Sequence, residues 1–288
     1  MTQHVEDKQA LFAEETATEV RLRIYRYSPD DNRPPRMQEY RIPVKRGMTI
    51  LDGLHYVRDT IDATLAYRYS CRMGVCGSCG MFIQGLPRLA CQTQILELES
   101  ETIEIKPMPN YPVIKDLVTD LSALFEKHRT IMPFLVRGDD ATSVPECELL
   151  QSPEDLEGYM QFAYCIKCGL CMAACPTVAS DSHYLGPQSL PQAFRYNRDT
   201  RDEGWSSRVK MVSGPEGPWR CHFAGACSEA CPKGVDPALG IQLLKRQLVL
   251  SALGMAKART PAPLAPEQAG AERRPGIPEA PAPTVEVE

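Results

Sequence analysis

The twelve cysteines of this chain fall into groups whose spacing could bind metal. They stand at Cys71, Cys76, Cys79 and Cys91, then at Cys165, Cys168, Cys171 and Cys175, and finally at Cys221, Cys227 and Cys231, with Cys147 alone between the first two groups. Residues 1–20 are acidic and lack the apolar stretch of a signal peptide, so we expect a reducing compartment, where stable disulfides are rare. Clustered cysteines in that setting indicate metal ligands.

The first group has the pattern C-x4-C-x2-C, with the fourth cysteine eleven residues further on. This spacing is typical of plant-type [2Fe–2S] ferredoxins. Gly74, Gly77 and Gly80 suit a loop that curls tightly and turns its backbone N–H groups toward sulfur. A structural zinc site is the alternative, since zinc also accepts four thiolates, but such sites favour paired C-x2-C units. The pattern therefore favours a [2Fe–2S] cluster held by all four cysteines of the group.

The second group, C-x2-C-x2-C-x3-C-P, is the bacterial ferredoxin run, whose fourth cysteine binds a second cluster. The third group has the same frame, except that Ala224 replaces its middle cysteine. If the last cysteine of each run binds the cluster of the other run, Cys231 completes a [4Fe–4S] cluster with Cys165, Cys168 and Cys171. Cys175, Cys221 and Cys227 then hold the other cluster. Because position 224 offers no thiolate, we expect this cluster to be [3Fe–4S]; a [4Fe–4S] cluster whose unique iron binds water or substrate stays open.

Composition narrows the class of protein. The chain has 288 residues, 43% of them hydrophobic, and a net charge of −5, which predicts two domains of an ordinary globular protein and disfavours nucleic acid as a partner. No apolar run reaches the ~18–20 residues that cross a bilayer. We find no G-x-G-x-x-G after a strand and no P-loop lysine, as a nicotinamide or flavin site would need, so the substrate chemistry is expected on another subunit. Three clusters in one chain indicate a one-electron relay.

The apolar patterns predict an α+β unit followed by helices. Strands are expected from Val20, over 37–44 and over 102–105, with a helix capped by Thr49 through about 61 and a hairpin turning near 84–85. A helix over 116–128 and another beginning at Pro237 are predicted next. The predicted organisation is a polar leader (1–19), a [2Fe–2S] domain (20–110), a helical two-cluster domain (111–253) and a Pro/Ala-rich disordered tail (254–288).

Four segments resemble the iron–sulfur subunit of succinate dehydrogenase and fumarate reductase, respiratory complex II. They are SCRMGVCGSCG (70–80), LAC (89–91), CIKCGLCMAACP (165–176) and CHFAGACSEACPKG (221–234). The resemblance implies a β-grasp plant-type ferredoxin domain followed by an all-α bacterial-ferredoxin-like domain. It also implies electron transfer from FAD on a flavoprotein partner to quinone at a membrane anchor subunit, on the cytoplasmic face of the inner membrane. The reverse reaction, quinol:fumarate reduction, and a free ferredoxin-like carrier are the alternatives.

The resemblance further implies that Pro176, His222 and Lys245 lie near the quinone. An imidazole titrates near neutral pH, so His222 could hydrogen-bond a quinone oxygen or relay a proton. The alternative for His222 is a structural histidine whose hydrogen bonds go to the backbone beside the cluster. The alternative for Lys245 is a solvated surface cation. Cys147 is expected to be a free thiol without an assigned role.

Overall fold

The structure is a computed structural model that describes residues 18–31, 33–137 and 149–255. The described residues do not include positions 1–17 of the predicted leader, Cys147, or positions 256–288 of the predicted tail.

A mixed five-stranded sheet forms the N-terminal part, in the order β2-β1-β5-β3-β4. The strands are β1 (Thr18–Arg26), β2 (Arg36–Val44), β3 (Gly80–Ile83), β4 (Leu86–Leu89) and β5 (Thr102–Lys106). Strand β1 pairs antiparallel with β2 and parallel with β5. With the helix that follows β2, this is the expected β-grasp arrangement.

Local sequence explains these elements. Leu22 and Ile24 of β1 are fully buried while Arg21 and Arg23 point outward, as the period-2 pattern predicts. Helix α1 (Ile50–Tyr56) is capped by Thr49 in a reciprocal capping box with Asp52. It continues as a π-helical turn over Val57–Ile61, so the predicted helix is present to its end.

One predicted helix begins later than expected. Residues 113–119 form a small hairpin of β6 (Val113–Lys115) and β7 (Val118–Thr119), and helix α2 covers only Ser122–Thr130. The physical reason is Asp116, whose buried carboxylate accepts hydrogen bonds from Arg26 Nε (3.0 Å), Tyr27 N (2.9 Å) and Ala66 N (2.9 Å). These bonds hold the segment against the sheet and out of a helix.

The C-terminal part is helical, as predicted. Its helices are α3 (Pro153–Ala163), α4 (Leu170–Ala173), α5 (Pro176–Ser180), α6 (Gly186–Arg198), α7 (Trp205–Val212), α8 (Ala226–Glu229) and α9 (Pro237–Ala252). Pro237 stands in the first turn of α9, where a missing N–H costs nothing. Leu190, Ile241 and Leu244 are fully buried in the core that α6 and α9 share.

Hydrogen bonds join the two parts. Asn110 Nδ2 donates to the carbonyl oxygens of Met172 (3.0 Å) and Ala173 (3.1 Å), and the Tyr111 hydroxyl donates to Gly169 O (3.1 Å). Leu170 of α4 is completely buried in the core of the sheet. The N-terminal part therefore contacts the middle of the second cysteine run, residues 169–173, directly.

Candidate metal centres

The first cysteine group lies on the loop that leads into β3 and on the loop that leaves β4. Ala90 N donates to Cys79 O (3.0 Å), which holds the two loops together. Cys79 and Cys91 are 3% and 6% exposed, whereas Cys71 and Cys76 are partly open to solvent. The four thiols therefore form an inner pair and an outer pair.

Backbone N–H groups converge on the outer pair. Met73 N (3.5 Å), Val75 N (3.3 Å) and Cys76 N (3.2 Å) all approach Cys71 Sγ. These donors lower the pKa of Cys71 to about 6. Burial instead raises the pKa of Cys79 to about 12, so that thiol needs a metal to lose its proton. Donors aimed at sulfur fit a negatively charged, sulfur-rich group.

The second centre takes its thiols from two distant segments. Cys165, Cys168 and Cys171 line one cavity together with Cys231, which follows α8. Burial raises the pKa of Cys168 to about 11 and that of Cys171 well above its ordinary value. Val235 N donates to Cys231 Sγ (3.4 Å). Four partly buried thiols around one cavity, with a backbone donor to one of them, fit a [4Fe–4S] cluster.

The third centre has three thiols. Cys175, at the start of α5, lines a separate cavity with Cys221 and Cys227, and Ala224 lies on the wall of the same cavity. Gly225 has a φ of +80°, which turns the chain between Ala224 and Cys227 around this space. Three thiols and a methyl group surround the site that would hold the second cluster of this part.

The three centres follow one another through direct contacts. Gly77, between two cysteines of the first group, approaches Cys168 so closely that a Cβ on Gly77 would lie 2.6 Å from Cys168 Cβ. Pro187 lines both the second cavity and the third. The second centre therefore lies between the other two.

The residues predicted to lie near a quinone gather at the third centre. Pro176 and His222 line its cavity, and both are exposed. Lys245 of α9 donates from Nζ to the carbonyl oxygen of Cys221 (3.0 Å), so it is neither remote nor simply solvated. The structure brings all three to one end of the cysteine series.

Two buried polar residues beside the cavities were not predicted from the sequence. Tyr184 is 1% exposed and lines the third cavity, and Gln188 is 2% exposed and lines the second. Neither belongs to a cysteine motif or to an unusual spacing. Only the fold, which places the start of α6 between the two cavities, reveals them.

Comparisons with known proteins agree with this geometry. Residues 21–126 match the 2Fe-2S iron-sulfur cluster binding domain, and residues 161–235 match the 4Fe-4S dicluster domain. The fumarate reductase iron–sulfur subunit of Mycobacterium tuberculosis is 43% identical over 81% of this chain and 94% of its own length. The succinate dehydrogenase iron–sulfur subunit of Paracoccus denitrificans is 38% identical over 82% of this chain and 90% of its own length.

A chain of the Mycobacterium smegmatis Sdh1 complex in its apo form has the same fold. It superposes with a TM-score of 0.72 at 26% identity, covering 83% of this chain and 98% of that one. The chain belongs to the family of succinate dehydrogenase and fumarate reductase iron–sulfur subunits. The fold class predicted from sequence, an α+β ferredoxin domain followed by a helical two-cluster domain, is confirmed.

In the part of the chain that the structure describes, no three His, Cys, Asp or Glu side chains converge on a position where they could hold a single metal ion. The cysteines of the second and third centres line two cavities.

Exposed apolar side chains accompany two of the centres. Met73 (67% exposed) and Val75 stand on the first cysteine loop, and Trp219 (51% exposed) and Phe223 flank Cys221. Val249 of α9 and Leu253, which follows the last residue of that helix, lie four and eight residues after Lys245 and extend the same face. No helix among the described residues is both long and apolar enough to span a membrane.

Proposed function

We propose that this chain is the electron-transfer subunit of a succinate:quinone oxidoreductase. It passes electrons singly from FAD on a flavoprotein partner, through [2Fe–2S], [4Fe–4S] and [3Fe–4S] clusters, to a membrane quinone. The same relay, run in the opposite direction, serves a quinol:fumarate reductase. Subunits of both fumarate reductase and succinate dehydrogenase match this chain.

The proposed ligands are the cysteines that share each cavity or loop. Cys71, Cys76, Cys79 and Cys91 hold [2Fe–2S]; Cys165, Cys168, Cys171 and Cys231 hold [4Fe–4S]; Cys175, Cys221 and Cys227 hold [3Fe–4S]. Ala224 leaves the third cluster one ligand short, and a methyl group offers no donor to replace it. These clusters supply one-electron redox chemistry, while the chain sets their order and surroundings.

The observation that carries the proposal is the unbroken contact between centres. Gly77 meets Cys168 backbone and side-chain atoms, and Pro187 is common to the second and third cavities. Electron transfer through protein weakens steeply with distance, so centres in contact transfer faster than separated ones. A free carrier with a single partner site would need no such series.

The third centre supports a quinone end. His222 is exposed beside Cys221, where its imidazole can form a hydrogen bond with a quinone oxygen. The ammonium group of Lys245 donates to the carbonyl oxygen of Cys221, and Pro176 forms part of the cavity wall. Docking to a membrane anchor subunit is supported by exposed apolar side chains at this end, those of Trp219, Phe223, Val249 and Leu253. The anchor would hold the chain peripherally at the cytoplasmic face of the inner membrane.

The first centre supports a flavoprotein end. Met73 and Val75 stand exposed on the loop whose outer thiols are closest to solvent. Tyr69, also exposed, has the guanidinium carbons of Arg58 and Arg72 at 5.4 and 5.5 Å from its ring centroid. An apolar surface with aromatic and arginine side chains is typical of a protein interface.

Electron paramagnetic resonance of the anaerobically purified complex tests the proposal. We expect a [3Fe–4S] signal in the oxidised sample, reduced-cluster signals after dithionite, and about nine irons and about ten sulfides per chain. A silent oxidised sample with one additional iron would instead show a complete second cubane. Zinc without sulfide would exclude the relay altogether.

A further inference from the structure

The segment from Tyr184 to Gln188 lies between the second and third centres. Pro187, in its middle, lines both cavities, while Tyr184 lines only the third and Gln188 only the second. Both polar side chains are almost completely buried. The segment therefore presents a different polar group to each centre.

Gln188 presents an amide N–H to a cysteine of the second centre. Its Oε1 accepts a hydrogen bond from Ser189 Oγ (3.3 Å), which leaves Nε2 to face Cys165 Sγ at 3.9 Å and His128 Nδ1 at 3.3 Å. The two N–H bonds of the amide match these two partners, and sulfur accepts hydrogen bonds at such longer distances.

Tyr184 presents a hydroxyl to the third centre. Among the described residues, this buried hydroxyl has no hydrogen-bond partner, although buried polar groups rarely stay unpaired. The cavity that Tyr184 lines also contains Cys175, Cys221 and Cys227. The hydroxyl of a tyrosine carries a proton that it can donate to sulfur.

Helix α2 fixes the segment from behind. Lys127 Nζ donates to Tyr184 O (2.7 Å) and to Ser182 O (2.6 Å), and the next residue, His128, accepts from Gln188. Leu185 N donates to Glu216 O (2.9 Å). These bonds fix the backbone on the N-terminal side of Pro187 and the side-chain amide of Gln188 on the other side.

We propose that Tyr184 and Gln188 set the reduction potentials of the third and second clusters independently, by donating hydrogen bonds to cluster or cysteine sulfur. The inference rests on the proposed clusters. Each reduction adds one electron and no bond is made or broken, so the extra negative charge spreads onto the sulfurs. A donor at sulfur stabilises the reduced form and raises the potential. Both are positioning residues, since neither binds iron.

A redox titration of the intact complex, followed by electron paramagnetic resonance, tests this inference with two reciprocal variants. Tyr184→Phe removes one oxygen and should lower the midpoint potential of [3Fe–4S] while leaving that of [4Fe–4S] unchanged. Gln188→Leu should do the reverse, with Gln188→Met as a second variant if clusters are lost. Gln192→Leu is the matched control, because its amide lies in the same helix but donates to Phe162 O (2.8 Å) rather than to sulfur.

Pulsed resonance after exchange into D₂O gives an independent measurement. One deuteron coupling to the oxidised third cluster should disappear in Tyr184→Phe and persist in Gln188→Leu. Unchanged potentials in both variants, or equal shifts of both clusters in each, would overturn the inference while the wild-type spectra still support the relay. A wild-type complex without the three-iron signal would instead overturn the proposed clusters.

Discussion

At the scale of single residues, Ala224 determines what the third centre can hold. It occupies the wall of a cavity that Cys175, Cys221 and Cys227 also line, where a cysteine would complete four ligands. The cysteine spacing alone pointed to this position, and the fold places it beside the three thiols. The sequence was informative here because cluster ligands must recur at fixed spacing.

We predict that Ala224→Cys converts the third cluster to [4Fe–4S]. The added thiolate can bind the corner iron, so the oxidised three-iron signal should vanish and iron should rise by about one per chain. Ala224→Ser is the control for bulk, since a hydroxyl is a poorer iron ligand than a thiolate. A three-iron signal that persists at full strength in the cysteine variant would show that position 224 does not face the cluster.

At the scale of elements, the first cysteine loop meets the segment just before α4 at Gly77. Its φ of +74° and its contact with Cys168 leave no room for a side chain, whereas Gly74, at φ +69°, would meet only the flexible Gln92 side chain. The two glycines share their backbone conformation but differ in what lies beyond them.

We predict that Gly77→Ala separates the first two centres and that Gly74→Ala does not. Both variants introduce similar backbone strain, of order 1–3 kcal/mol, but only the first pushes against Cys168. Magnetic coupling between the reduced first and second clusters should weaken in Gly77→Ala, together with slower electron transfer between them. Equal effects in both variants would assign the change to strain in the loop rather than to distance.

Other elements show where sequence reasoning succeeds and where it fails. Thr49 and Pro237 were identifiable because capping and first-turn proline are local effects. The hairpin turn at Gln84 and Gly85, both with positive φ, was equally local. The hairpin of β6 and β7 was not predicted, because it depends on Asp116 bonding to Arg26, ninety residues away along the chain. Tyr184 and Gln188 were missed for the same reason.

At the scale of the whole molecule, two exposed apolar surfaces accompany different centres. One contains Met73 and Val75 beside the first cysteine group, and the other contains Trp219 and Phe223 beside the third. A relay needs an entry and an exit, and each surface lies where a partner would bring its own redox group near the cluster.

We predict that a charge in either surface releases a different partner. Met73→Glu should weaken binding of the flavoprotein and leave the anchor bound, because burying an unpaired carboxylate in an interface is unfavourable. Trp219→Glu should release the anchor and leave the flavoprotein attached. Co-purification of the tagged chain, with cluster spectra as the folding control, measures both. Loss of the same partner from both variants would contradict the two-ended arrangement.

The crossed ligation proposed for the helical part would affect how the protein is made. The first centre draws all its thiols from positions 71 to 91, so the ribosome can release a complete ligand set early. The second and third centres each need cysteines from both sides of α6 and α7, because Cys231 returns to the second and Cys175 is kept for the third. Neither can be filled until nearly the whole helical part has been synthesised. Cluster delivery should therefore occur in two stages. A ribosome stalled between residues 175 and 221 should carry a chain with one loaded centre and four helical cysteines, Cys165, Cys168, Cys171 and Cys175, that still lack their partners.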